Sequence, residues 1–243
     1  MRRGSKQLQL GERTRCVYCD NPSGTRDHVP PRCLLERPLP TTLITVPSCR
    51  TCNASFAKDE EYFATVLAHV GSDPKLERRV EPGGLSDRAL TRRPFFAEMI
   101  ENSLRVDSHG RVFLMPDEDR LTRIATKVAF GLFADRYRRV IPRIESFRAK
   151  LLQNLSDPDP SPPYEILLKV HNERFISKRW EVVQAGVFSY IFVRIGSNPS
   201  VLHCLLNFYG TLWADVECPW PAGTRGLSPW LENVNQLLLP GVC

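Results

Sequence analysis

The 243-residue chain contains no run of about 18 apolar residues, so a membrane-spanning helix is not expected. Its opening, MRRGSKQLQLGERTR, is basic and lacks the apolar stretch of a secretion signal, which points to a cytoplasmic protein. No internal repeat is visible. Histidine is scarce, five residues in all; His69, His109, His171 and His203 are scattered and read as structural, which leaves His28. Helical periodicity is missing from residues 16–57, where turn formers dominate: Asn21-Pro22-Ser23-Gly24, Pro30-Pro31, Pro38 and Pro40. A segment of this kind buries little apolar surface and calls for a staple.

Acidic residues are also sparse at the start. Residues 1–58 hold ten Lys/Arg and four Asp/Glu, whereas residues 59–243 hold 23 of each sign, so the whole formal excess of +6 lies in the first part. Four thiolates around one Zn²⁺ would lower that excess to about +4 and leave it basic. A locally basic module attracts phosphate backbones, and nucleic acid is the expected partner.

What the chain does have is cysteine in pairs. Cys16-Val-Tyr-Cys19 and Cys49-Arg-Thr-Cys52 are separated by 29 residues. Each pair can wrap one side of a tetrahedral ion, and two pairs close the shell, for which Zn²⁺ is the usual occupant. Such a zinc has no open position, so it is structural and chemistry must lie elsewhere. Cys33 reads as packing, and Cys204, Cys218 and Cys243 share no metal spacing. The grouping favours a reducing compartment over a disulfide scaffold.

The expected fold class is α+β. Residues 1–15 form a basic arm and 16–71 a zinc-stapled module. Residues 72–155 are mainly helical, and 164–243 are strand-rich. Leu43–Val46 is a short β-type run. Helical spacing begins around Asp59 with Tyr62, Phe63, Val66, Leu67 and Val70, and Gly71 ends it. Asp59, Glu60 and Glu61 read as a solvated first turn. Phe95, Phe96, Met99 and Ile100 start another helix, and 106–114 reads as a hairpin turning at His109-Gly110. The clearest helix is 119–139, with a stripe from Leu121 to Phe133 and with Arg120, Arg123 and Lys127 on its polar side. A second amphipathic segment carries Ile141, Ile144, Phe147 and Leu151. Four prolines within 156–163 mark a connection. Beyond it, 164–170, 187–195 and 201–213 read as strands buried in part on both faces. The four tryptophans read as core or interface packing.

Between the cysteine pairs stands Asp27-His28, and Asn53 follows Cys52 directly. Phosphodiester hydrolysis needs an activated water and charge neutralisation at the phosphate. A neutral imidazole suits the first task, and a hard cation on few protein oxygens suits the second. Adjacent strand residues point to opposite faces, so Asp27 and His28 share one site only through a bend, which Val29-Pro30-Pro31 could supply. The competing readings are a core histidine, a turn-capping Asp27 and a helix-capping Asn53.

The stretch from Cys16 to about Phe63 resembles the HNH nucleases, a branch of the ββα-metal endonucleases. It is similar to their four-cysteine subgroup: CxxC, an Asp-His dipeptide at a strand end, then CxxCN leading into a helix. The resemblance covers about a fifth of the chain. It implies His28 as general base and Asp27 as ligand of a catalytic Mg²⁺ or Mn²⁺, with Asn53 completing that site or orienting the phosphate. It also implies DNA as substrate. Arg26, Arg32 and Arg50 are candidate phosphate contacts. Thr42 stands near the place of the family's middle Asn, so the bond that orients the histidine would come from Thr42 or from backbone. One such site cuts one strand; cutting both would take a homodimer or a larger complex through the C-terminal region. The alternatives are a catalytically impaired zinc-dependent nucleic-acid-binding module and a protein-interaction adaptor.

Overall fold

The computed structural model describes residues 15–70, 94–106, 108–110, 112–137, 142–152, 180–193 and 201–219. The basic arm up to residue 14, the Pro-rich connection and the strand expected over 164–170 lie outside them. The fold is mixed α and β, and no described helix is long and apolar enough to cross a membrane.

Strand β1 (Thr25–Val29) pairs antiparallel with β2 (Ile44–Ser48), and helix α1 (Arg50–Val70) follows at once. The helix starts nine residues before its apolar spacing does. Cys49 explains the early start. Its sulfur accepts the Cys52 backbone N–H at 3.4 Å, and its carbonyl accepts the first helical bond from Asn53 at 3.0 Å. A thiol thus takes the N-cap place usually held by Ser, Thr, Asp or Asn.

Helix α2 (Pro94–Ser103) leads into the hairpin of β3 (Leu104–Val106) and β4 (Val112–Leu114). Helix α3 (Glu118–Tyr137) is central among the described elements, packing on α1, β1 and β2 and on the strands over Arg148–Leu151 and Leu212–Pro219. The amphipathic segment after it is not a helix: residues 144–146 make one 3-10 turn, and 148–151 join a sheet as β5. That sheet is antiparallel throughout, in the order β5 (Arg148–Leu151), β9 (Leu212–Pro219), β8 (Val201–Phe208), β7 (Phe188–Val193), β6 (Glu181–Gln184). The run 201–213 is thus two strands. They are joined by the three residues Tyr209, Gly210 and Thr211; Tyr209 and Gly210 are both at positive φ (56° and 71°) and the Thr211 N–H closes the turn on Phe208 O at 3.0 Å, although a tyrosine there gives no Asn-Gly signal.

One apolar cluster joins all of this. It runs from Leu34, Leu35 and Val46 through Phe56 and Phe63 to Phe130, Phe133, Phe188 and Phe208. Phe63 meets Phe208 edge to face at 5.0 Å. Gln184 extends the contact with polar bonds, accepting the Glu36 N–H at 3.0 Å and donating to the Glu36 carbonyl at 3.0 Å. The outer face of the sheet buries Ile191, Val193 and Leu205 beneath Leu152 and Trp180.

Candidate metal centre and the charges behind it

The first cysteine pair sits in a tight loop pinned to β2. Cys16 N–H donates to Asn21 O at 2.7 Å, Asp20 N–H to Cys16 O at 2.9 Å, and Val17 N–H to Pro47 O at 3.0 Å. Asp20 closes the loop at φ 62°, a conformation its short polar side chain tolerates. The second pair begins α1. The two loops bring the four Sγ atoms of Cys16, Cys19, Cys49 and Cys52 within 4.8 Å of one another. Cys19 and Cys49 lie 3.7 Å apart. A disulfide would hold them at about 2.0 Å. Tetrahedral Zn–S bonds of about 2.3 Å set sulfur–sulfur edges of about 3.8 Å. The four residues can hold one metal ion, and zinc fits the spacing. The Cys52 N–H holds the Cys49 thiol down to about 7, whereas burial pushes Cys52 up.

Asp27 and His28 part company on β1. The strand pairs regularly with β2 through both residues, Asp27 opposite Val46 and His28 opposite Thr45, so no bend intervenes. Asp27 points inward and is 5% exposed. Its Oδ2 accepts the Tyr18 hydroxyl at 2.8 Å. The ammonium of Lys127 lies 3.0 Å from Oδ1 and 2.8 Å from Oδ2. Lys127 also pairs with Glu60 Oε1 and stands 5.1 Å from the centre of the Phe56 ring. Burial raises Glu60 above its ordinary value, and burial with the Asp27 carboxylate beside it raises Tyr18.

The polar side expected for α3 is therefore an interface. Lys127 is 1% exposed, and Arg120 and Arg123 both pair with Asp59 of α1. Asp59 and Glu60 are not a solvated first turn; they lie in the middle of α1 and meet cations more than sixty residues away in sequence. Gly131 sets the approach of α3 to β1, since a Cβ there would stand 2.6 Å from Val29 Cγ2.

His28 is half-buried on the other face of β1, and among the described residues its ring makes no hydrogen bond. Burial, then the nearby Arg32, lowers its pKa from the ordinary histidine value. Arg32 and Arg50 are exposed. Arg26 is tied to β2, donating to Thr45 Oγ1 at 2.8 Å and Thr45 O at 3.1 Å. Asn53 lies in the first turn of α1, half-buried, with Cys49 rather than Asn53 as the cap. No hydrogen bond among the described residues joins Asp27, His28 and Asn53. Cys33 packs against the core, and burial pushes its thiol up to about 12.

For the divalent ion that the resemblance implies at Asp27 and Asn53, the fit fails as the residues stand. Both oxygens of Asp27 are engaged, and the cation beside them is an ammonium. Sequence reasoning passed over Tyr18 and assigned Lys127 to solvent. One signal was available: residues 128–134, Val-Ala-Phe-Gly-Leu-Phe-Ala, are apolar all round, and a lysine adjoining such a run must be paired to be buried. Compared with known protein families, with curated proteins and with solved structures, the chain matches none.

Proposed function

We propose that the protein is an endonuclease of the HNH kind that hydrolyses phosphodiester bonds in nucleic acid, with DNA as substrate and His28 as general base. The observation that carries this reading is the imidazole of His28, without a hydrogen bond among the described residues, on a strand–strand–helix unit whose four cysteines can hold a metal ion. In this reading the ion is a structural Zn²⁺. It pins both ends of the β1–β2 hairpin and so fixes the strand that carries His28. The imidazole Nε2 or Nδ1 that faces solvent takes a proton from the attacking water. In this reading the exposed Arg32, close enough to His28 to depress its protonation, holds the scissile phosphate, and the exposed Arg50 adds a further phosphate contact. A divalent ion would neutralise the phosphate in the family's chemistry, but in this chain Asp27 is held by Lys127.

The same pairing favours a second reading: a zinc-dependent nucleic-acid-binding module that does not cut. Supercoiled plasmid, incubated with zinc-loaded protein with and without Mg²⁺ or Mn²⁺, separates the two. The nuclease reading expects nicking that falls by about 10²–10⁴ in His28→Ala while DNA affinity is unchanged. Salt-sensitive binding without nicking under any ion establishes the second reading and removes the first.

A further inference from the structure

We infer that the ammonium of Lys127 is the resident cation of Asp27 and Glu60, and that it keeps a divalent ion out of the position that the Asp-His motif would give one. The inference concerns which cation occupies the pair and does not depend on the protein being a nuclease.

Three observations converge. First, a single buried nitrogen serves both carboxylates: Lys127 Nζ stands 3.0 and 2.8 Å from the two Asp27 oxygens and pairs with Glu60 Oε1, at 1% exposure. Second, Asp27 Oδ2 also accepts the Tyr18 hydroxyl at 2.8 Å, the Phe56 ring flanks the ammonium at 5.1 Å, and Asp27 is 5% exposed. Burial of this degree opposes the waters that Mg²⁺ retains when bound by few carboxylates. Third, the placement is built into the fold. Gly131, one turn beyond Lys127, lets α3 lie against Val29 with no room for a Cβ. That approach brings the lysine to Asp27 from a hundred residues away in sequence.

The charges explain why the two cations exclude each other. Two carboxylates and one ammonium leave one negative charge, already shared by a tyrosine hydroxyl. A doubly charged ion added beside the ammonium would meet strong repulsion in a largely buried position where screening is weak. Without the ammonium, the same two carboxylates converge on one point, a hard oxygen set of the type Mg²⁺ and Mn²⁺ take. The lysine thus does for this pair what an ion does for a metal site, and it is supplied by the chain.

The test is Mn²⁺ titration of zinc-loaded, full-length protein, followed by the electron paramagnetic resonance signal of free Mn²⁺. Four proteins are compared: wild type, Lys127→Met, which removes the charge and keeps most of the side chain's length, Glu60→Gln, which leaves one carboxylate for the ammonium, and the double variant Lys127→Met with Asp27→Asn. Wild type should bind no Mn²⁺ that Glu60→Gln removes. Lys127→Met should gain one Mn²⁺ per chain, at least tenfold tighter than any site in wild type, and lose it when Asp27→Asn is added. Wild-type binding of one Mn²⁺ that Glu60→Gln abolishes would overturn the inference, since the ammonium would then be yielding to the ion. A folded Lys127→Met that gains no site would overturn it equally. If Lys127→Met does not fold, the comparison of wild type with Glu60→Gln still decides. Because Mn²⁺ binding is read without any cleavage, its outcome is separate from that of the nuclease reading.

Discussion

Between Arg15 and Cys52 the chain makes two short strands, one 3-10 turn, the loop of the first cysteine pair and the helix start that carries the second. Between Glu181 and Pro219 it makes four strands of one sheet, their inner face lined by Phe188, Phe192, Leu206 and Phe208. The two regions share a core but are held by different forces. In the first, shape depends on a few directional bonds: four sulfurs around one point, and Asp27 on Lys127. In the second it depends on apolar area, which has no direction and is spread over many side chains. Directional bonds fail singly and completely, whereas buried area is lost by degrees. Perturbations should therefore act differently on the two regions.

The largest effect is expected from the cysteine cluster. Structural zinc in small modules contributes about 10–16 kcal/mol of binding free energy, which is also folding free energy. Cys49→Ser, or prolonged chelation, should abolish amide protection over residues 15–48 while β7–β9 retain most of theirs, as read by hydrogen exchange. Equal loss in both regions would mean that the shared core, not the metal, sets the boundary. Retained protection in strong chelator, with no zinc by elemental analysis, would remove the metal from the account.

The buried ions come next. Lys127→Ala leaves two uncompensated carboxylates and should cost about 3–5 kcal/mol, measured by urea unfolding. Phe208→Ala in the sheet should cost a similar amount, about 3–5 kcal/mol, through the cavity it leaves. The two losses differ in how they can be recovered. Adding Asp27→Asn and Glu60→Gln to a Lys127→Met background removes the stranded charge and should restore most of the stability, because a buried ionic group can often be replaced as a set. No polar change repairs the Phe208 cavity. If the triple variant is no better than Lys127→Ala, the module depends on packing as much as the sheet does.

This contrast also explains what was legible in the sequence. The cysteine cluster could be read because metal geometry demands paired spacing. The hairpin expected over 106–114, whose first strand in fact begins at Leu104, and the span of α3 could be read because local period and turn chemistry decide them. Lys127, Asp59 and Glu60 could not. Period shows that a residue is polar, but not whether water or a distant opposite charge will meet it. The start of α1 escaped because its first turn is capped by sulfur and turned toward the four-cysteine cluster, so it shows no apolar stripe. Asp27-His28 was visible as a pair of reactive types, but the straightness of β1, which sends them to opposite faces, is a property of the pairing with β2.

A smaller effect is expected where the regions touch. Gly131→Ala would set a methyl 2.6 Å from Val29 Cγ2, and Val29 is 1% exposed and stiff at χ1. Overpacking of this kind costs about 1–3 kcal/mol. Val29→Ala in the same chain should relieve part of it, so a double-mutant cycle should show coupling. Additive losses would show that the helix does not bear on β1 as closely as the geometry indicates.

The smallest effect concerns pH, and it belongs to the sheet. His203 on β8 has Nδ1 2.9 Å from Oδ1 and 3.1 Å from Oδ2 of Asp215, which is 3% exposed. Lys150 of β5 approaches the same carboxylate at 3.6 Å, and Glu217 of β9 lies across the ladder from His203. The hydrogen bond to Asp215 is the main cause that raises His203 above its ordinary value. Burial opposes it, and the charges of Asp215 and Glu217 add to it. A histidine raised on folding favours the native state while it is protonated. Its contribution is therefore fully present below the unfolded value of about 6.5 and is lost as pH rises through the folded value. His28, lowered on folding, acts with the opposite sign: its contribution is present above the unfolded value and is lost as pH falls. The net profile mixes the two, so the test must remove one. His203→Gln should flatten the decline in unfolding free energy above pH 6.5 and leave the acid limb as it was. The change should be modest, because neutral His203 can still donate Nδ1–H to Asp215 and Lys150 remains beside that carboxylate. A decline that persists unchanged in His203→Gln would show that Lys150 alone satisfies Asp215, and that the sheet, unlike the cysteine module, does not depend on any single charge.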